Sequence, residues 1–203
     1  MDAQIMKLDD AYSCADELTN DIGTCYNKIS EDLETIVNNV KNHWKGTDAS
    51  NHVNALIDEY DKYTDYFSEL SYVTSYVSNY FVALQRSRAR VSDNSRVGTA
   101  GMVKCDSKAL SRMDTTDEYF YDGQLKQDYN DICNLCDYYN KFVRNVESKS
   151  DTIMNNWKEG KGREQVHQYF SAFNVVSSKM ISRLEDLKEE IGNVIANEDH
   201  ISE

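Results

Sequence analysis

Proline is absent from all 203 residues of this chain. At ordinary usage of about 5%, roughly ten would be expected. Glycine is scarce as well, at 8. Proline removes a backbone donor and clashes inside a helix, and glycine carries an entropic penalty there, so these two residues are what stop helices. They also build the tight turns of strand-rich folds. A β-sandwich, a barrel or a βαβ array would therefore lack its turn chemistry, and long helices are the expected outcome. A hydrophobic fraction of 40% suits long helices that are partly exposed.

Apolar spacing agrees. Val53, Ile57, Tyr60, Tyr63, Phe67, Leu70, Val73, Val77, Phe81 and Leu84 recur every three or four residues, which is one face of a helix. Val166, Phe170, Phe173, Val176, Met180, Leu184, Leu187, Ile191 and Val194 do the same. Two shorter series are Ile22, Ile29, Leu33, Val40 and Leu135, Phe142, Val146, Ile153. The breaks fall at His43-Trp44-Lys45-Gly46, at the polar stretch Ser92–Gly101, and at Trp157-Lys158-Glu159-Gly160-Lys161-Gly162. Thr115 and Glu118 have capping-box spacing for the third helix, while Gly123 is a break that would delay its start. The sequence predicts an all-α chain of two long antiparallel hairpins, residues 1–91 and 115–203, joined by a flexible linker at 92–114. Helices of about 40 residues, roughly 60 Å long, need partners along their length, so the hairpins are expected to pack as a four-helix bundle.

The two halves resemble each other. The two tryptophans, Trp44 and Trp157, both fall at hairpin turns, 113 positions apart. Aligning them pairs Val40 with Ile153, Leu33 with Val146, Ile29 with Phe142, Ile22 with Leu135, Val53 with Val166 and Ile57 with Phe170. Heptad spacing alone does not set the tryptophan register, so the chain reads as a duplicated helical hairpin. At such a turn Gly46 can take the left-handed conformation that ends a helix. Trp44 can fold back over the seam, where truncating a buried Trp costs about 3–5 kcal/mol.

With 35 acidic and 22 basic residues the formal charge is −13. Phosphate binding needs a basic face and anionic membranes attract basic ones, so nucleic acid and lipid surfaces are disfavoured partners. No apolar run is long enough to span a bilayer. The first ten residues lack the basic start and apolar core of a classical signal peptide.

Candidate chemistry is sparse. Cys133 and Cys136 have metal or redox spacing, but there is no second such pair and no preceding strand. His43 and His52 flank the first turn and are explained by turn polarity. No nucleophile elbow, phosphate loop or metalloprotease motif occurs. The chain is read as non-enzymatic, with no cofactor and no metal. Tyrosine is in excess at 14. Tyr66, Tyr72, Tyr76 and Tyr80 fall outside the inner seam of the second helix. Tyrosine is favoured at interfaces, and these four are the candidate partner surface, unless the other hairpin covers them.

His43-Trp44-Lys45-Gly46 places Trp-X-Gly between two helices of about 40 residues, and this resembles the WXG family, the small acidic hairpins exported by type VII secretion in Gram-positive bacteria and mycobacteria. Residues 2–91 resemble one member and 115–196 a second, so the chain looks like a tandem version. Its turn motif would be Trp44 and Gly46, repeated as Trp157 and Gly160 with one extra residue. The resemblance implies a pseudo-dimer of hairpins within one chain. It implies a helical protein partner, either an LXG-like effector or another WXG-like protein, and contact with a secretion ATPase. It also implies residence in the cytoplasm before export without a classical signal peptide. No tyrosine of the chain is expected to carry the family's Tyr-X-X-X-Asp/Glu export signal. The expected role is therefore an adaptor, chaperone or co-secreted partner. The alternative is a structural helical bundle unrelated to secretion.

Overall fold

A computed structural model describes residues 2–89, 102–103, 105–106, 108–157 and 161–201. The chain is all-α, with four helices packed against one another: α1 (Asp2–His43), α2 (Thr47–Ala89), α3 (Leu125–Asn156) and α4 (Lys161–Ile201). Two two-residue strands, β1 (Trp44–Lys45) and β2 (Phe120–Tyr121), form the one small sheet among the described residues. The predicted hairpins are present, α1 with α2 and α3 with α4.

The chain divides into two compact units, and each takes a part of every helix. Unit one comprises residues 1–26, 65–105 and 142–175, and unit two comprises residues 27–64, 106–141 and 176–203. The units therefore follow segments of all four helices rather than the two halves of the sequence. A two-helix hairpin has an apolar stripe but nothing to bury it against, so its core is made with the other hairpin.

In unit one, Phe67 of α2 sits at the centre. Its ring centroid lies 5.5 Å from Tyr26 of α1, 5.5 Å from Phe142 of α3 and 5.3 Å from Phe173 of α4. Thr19 Oγ1 donates to Thr74 Oγ1 at 2.9 Å across the α1–α2 seam. The contacts Thr19–Thr74 and Tyr26–Phe67 run in opposite directions along the two helices, which makes them antiparallel. In unit two, Tyr63 of α2 meets Tyr139 of α3 edge-on at 5.2 Å. Tyr60 donates to Ser30 Oγ at 2.9 Å, and Gly192 of α4 lies beside the Tyr129 ring of α3. All twelve residues of the six repeat-matched pairs are buried. Of the four apolar series read from the sequence every member but the half-buried Leu84 is buried, so that face is the core.

Much of the expected linker, 92–101 with 104 and 107, lies outside the described residues. What is described before α3 holds no helix starting near Thr115. The described residues from 108 to 121 run extended along the first hairpin in unit two. Lys108 pairs with Glu34 at 2.8 Å, and Lys41 donates to the Ser111 carbonyl at 2.6 Å. Three extended residues cover about 10 Å and seven helical residues about 10.5 Å, so segment and helix keep step. Arg112 pairs with Asp58. Asn54 exchanges two 2.9 Å hydrogen bonds with the backbone of Met113, whose side chain is buried. Thr115, expected to cap a helix, instead accepts from Ser50 Oγ at 3.4 Å. In unit one, the Val103 amide donates to Ser71 Oγ at 2.8 Å, and Cys105 exchanges hydrogen bonds with Ser68 Oγ. Helix α3 starts after Gly123, where Asp122 Oδ1 accepts the Gln124 amide at 2.9 Å.

Candidate interaction surface

The two tryptophan turns are built differently. At the first, in unit two, Trp44 and Lys45 pair antiparallel with Tyr121 and Phe120. Gly46 has φ +136°, a conformation that L side chains rarely adopt. The Ser50 amide returns to the Gly46 carbonyl at 3.1 Å to open α2, and the Asp122 amide donates to the His43 carbonyl at 3.0 Å. Trp44 is only 1% exposed. Beside it His43 Nδ1 lies 2.7 Å from Oδ2 of Asp128, itself 1% exposed. Burial pushes the Asp128 carboxyl above the usual carboxylate range, and the His43 contact pulls it partly back. Sequence reading assigned His43 to turn polarity and missed this partner, because 85 residues separate the two.

At the second turn, in unit one, Trp157 is also buried but packs differently. Its ring stacks on Tyr80 at 4.8 Å and 18°, and meets Phe81 edge-on at 5.7 Å. The predicted turn glycine, Gly160, lies outside the described residues. Arg163 reaches back across the turn, donating from Nε to the Trp157 carbonyl and from Nη2 to the Met154 carbonyl at 3.3 Å. A cation on the last carbonyls of a helix caps its C-terminus. Gly162 lets the indole lie close: a Cβ there would meet Trp157 Cζ2 at 3.3 Å.

Next to this stack lies the main exposed apolar surface. Eight large hydrophobic side chains are exposed among the described residues, and five of them sit on α2 and α4 of unit one: Tyr72, Tyr76, Tyr80, Tyr169 and Val175. Tyr72 at 54% and Tyr76 at 45% are exposed, with the Tyr76 hydroxyl near Gly162 of α4. Of the predicted surface, Tyr66, Tyr72 and Tyr76 line one open groove of about 650 Å³. Tyr80 does not line it. It stands between Tyr76, at 6.4 Å, and Trp157, and so couples the groove wall to the turn. The far wall, missed from the sequence, is α4: Gln165, Gln168 and Tyr169. The available clue was Tyr169 itself, an aromatic residue off the Val166–Phe170–Phe173 core stripe.

The other candidates stay apart. Cys133 and Cys136 lie in α3 with Cys136 buried, and burial pushes its thiol up to about 11. All five cysteines are thiols. Among the described residues no three His, Cys, Asp or Glu side chains converge as a metal would require. Also among the described residues, no helix is long and apolar enough to cross a membrane. Against the expectation that no tyrosine carries it, one Tyr-X-X-X-Asp spacing occurs, from Tyr12 to Asp16, inside α1 rather than after a second helix. Comparison with family models, with curated proteins and with solved structures finds no match to this chain.

Proposed function

We propose that the chain is a non-enzymatic helical interaction protein of a type VII secretion system, a tandem WXG-like adaptor, chaperone or co-secreted partner of a helical, LXG-like effector. The observation that carries this reading is the tyrosine-lined groove of unit one. Large aromatics are normally withdrawn from water unless a partner covers them. Two further features support it. A Trp-X-Gly turn with a glycine at positive φ joins two long helices, and a tryptophan recurs at the second turn. The acidic charge of −13 argues for a protein rather than a nucleic acid or anionic membrane as the surface recognised. The chain works by presenting aromatic side chains from helices already fixed by the bundle, so binding orders little backbone.

The test is a tagged capture from the native cell, with cytoplasm and culture medium analysed separately. Recovery with a helical toxin and a secretion ATPase is the expected outcome, and the fraction that holds the complex distinguishes chaperone from co-exported partner. Recovery alone, as a stable monomer in the cytoplasm only, would leave a plain structural bundle.

A further inference from the structure

We infer that the α2–α4 groove of unit one is a docking site for one amphipathic helix of about three turns, with a basic first turn seated over Glu69. This rests on the reading of the chain as a protein-binding adaptor and says what the bound element looks like. The groove runs from Tyr66 to Tyr76 on α2 and from Gly162 to Ala172 on α4. Ten helical residues rise about 15 Å, which is three turns of an incoming helix. Val73, Val166 and Ala172 line it with small or branched apolar groups, and the tyrosines rise beside them. Apolar anchors at i, i+3 or i+4, and i+7 fit such a channel.

Charge sets the direction. Asp65 and Glu69 are exposed at the Tyr66 end and meet no cation among the described residues. At the Gly162 end, Lys161 and Arg163 outnumber Glu164. A helix presents partial positive charge at its N-terminus and partial negative charge at its C-terminus. Its N-terminus therefore lies over Glu69 and its C-terminus toward Lys161, so the bound helix runs parallel to α2. Size argues against a second copy of this chain as the occupant. Two helix faces about 10 Å wide and 15 Å long offer on the order of 300 Å², whereas a stable dimer buries about 800 Å² on each partner.

The experiment titrates the full chain into three fluorescein-labelled, helix-forming peptides of about 14 residues, followed by anisotropy. The first has a leucine stripe and lysines in its first turn. The second carries glutamates there, and the third has the same composition as the first with the leucines scattered around the helix. The first peptide is expected to bind about tenfold tighter than the second, and the third to bind negligibly. Glu69→Lys should reverse the order of the first two, and Tyr72→Ser should weaken the first about tenfold. Both side chains are exposed, so thermal melting of each variant should match the native chain. Failure of the first peptide to bind, equal binding of the first and third, or an order unmoved by Glu69→Lys would overturn the inference. If the Tyr72→Ser chain still captures its native partner, the adaptor reading stands on another surface and this groove assignment falls.

Discussion

The two tryptophan turns solve the same problem with different chemistry. At the first, Trp44 is held by backbone pairing with β2, and a glycine at φ +136° follows at the turn. At the second, Trp157 is closed over by side chains, Tyr80 on one face and Phe81 at the edge, and an arginine satisfies the last helix carbonyls. The first turn is sealed by backbone and directs its chemistry inward. The second leaves its tyrosines standing at the rim of a groove. Both turns bury a tryptophan, but the first is a structural clamp and the second adjoins an exposed surface.

The sharpest way to break this comparison is to truncate each tryptophan. Trp44→Ala should cost about 3–5 kcal/mol in chemical denaturation, because the indole is only 1% exposed and its backbone is fixed by pairing with β2. Trp157→Ala should cost roughly 2 kcal/mol, since Tyr80 can fall into part of the space, and it should also lower helix-peptide binding by undermining the groove wall. Equal losses would mean that the two turns are equivalent. Replacing the turn devices comes next. Gly46→Ala forces an L side chain into a conformation costing on the order of 1–3 kcal/mol. Arg163→Ala removes hydrogen bonds worth about 1 kcal/mol. Melting temperatures in this order support different mechanisms at the two turns, and the reverse order would not.

Acid dependence belongs to the first turn. The Asp128 carboxyl is pushed up chiefly by burial. A raised carboxyl contributes most in acid, below its unfolded value near 3.9, and that contribution is lost as pH rises through the folded pKa. Asp128→Asn does not titrate, so it should gain stability relative to the native chain as pH rises from about 3 to 6. A difference that stays flat across that range contradicts the buried pair. The smallest stability effect is expected at the second turn's surface: Tyr72→Ser and Tyr76→Ser should each change unfolding free energy by less than about 0.5 kcal/mol. A larger loss would show that these rings belong to the core rather than to a binding face.

The helices were legible because burial imposes a period on the sequence. Every apolar position from Val166 to Val194 singled out in α4 is buried, and a missing proline leaves nothing to interrupt the pattern. The strap before α3 was not legible. It is extended, polar and anchored mainly by side chains such as Asn54, Lys41 and Glu34, which belong to helices far away in sequence. Among its described residues only Cys105 and Met113 are buried, and two buried residues carry no period. The groove was half legible. The tyrosines off the α2 stripe marked one wall, but the opposite wall is glutamine-rich, and Tyr169 alone marks it without saying which helix faces it.

The most direct test of the account compares native-cell capture by the tagged native chain and by a Tyr72→Ser, Tyr76→Ser double variant of equal thermal stability. The account predicts that the native chain recovers a helical protein of a type VII system, and that the variant recovers little or none. A native chain that elutes alone from both cytoplasm and medium would contradict it.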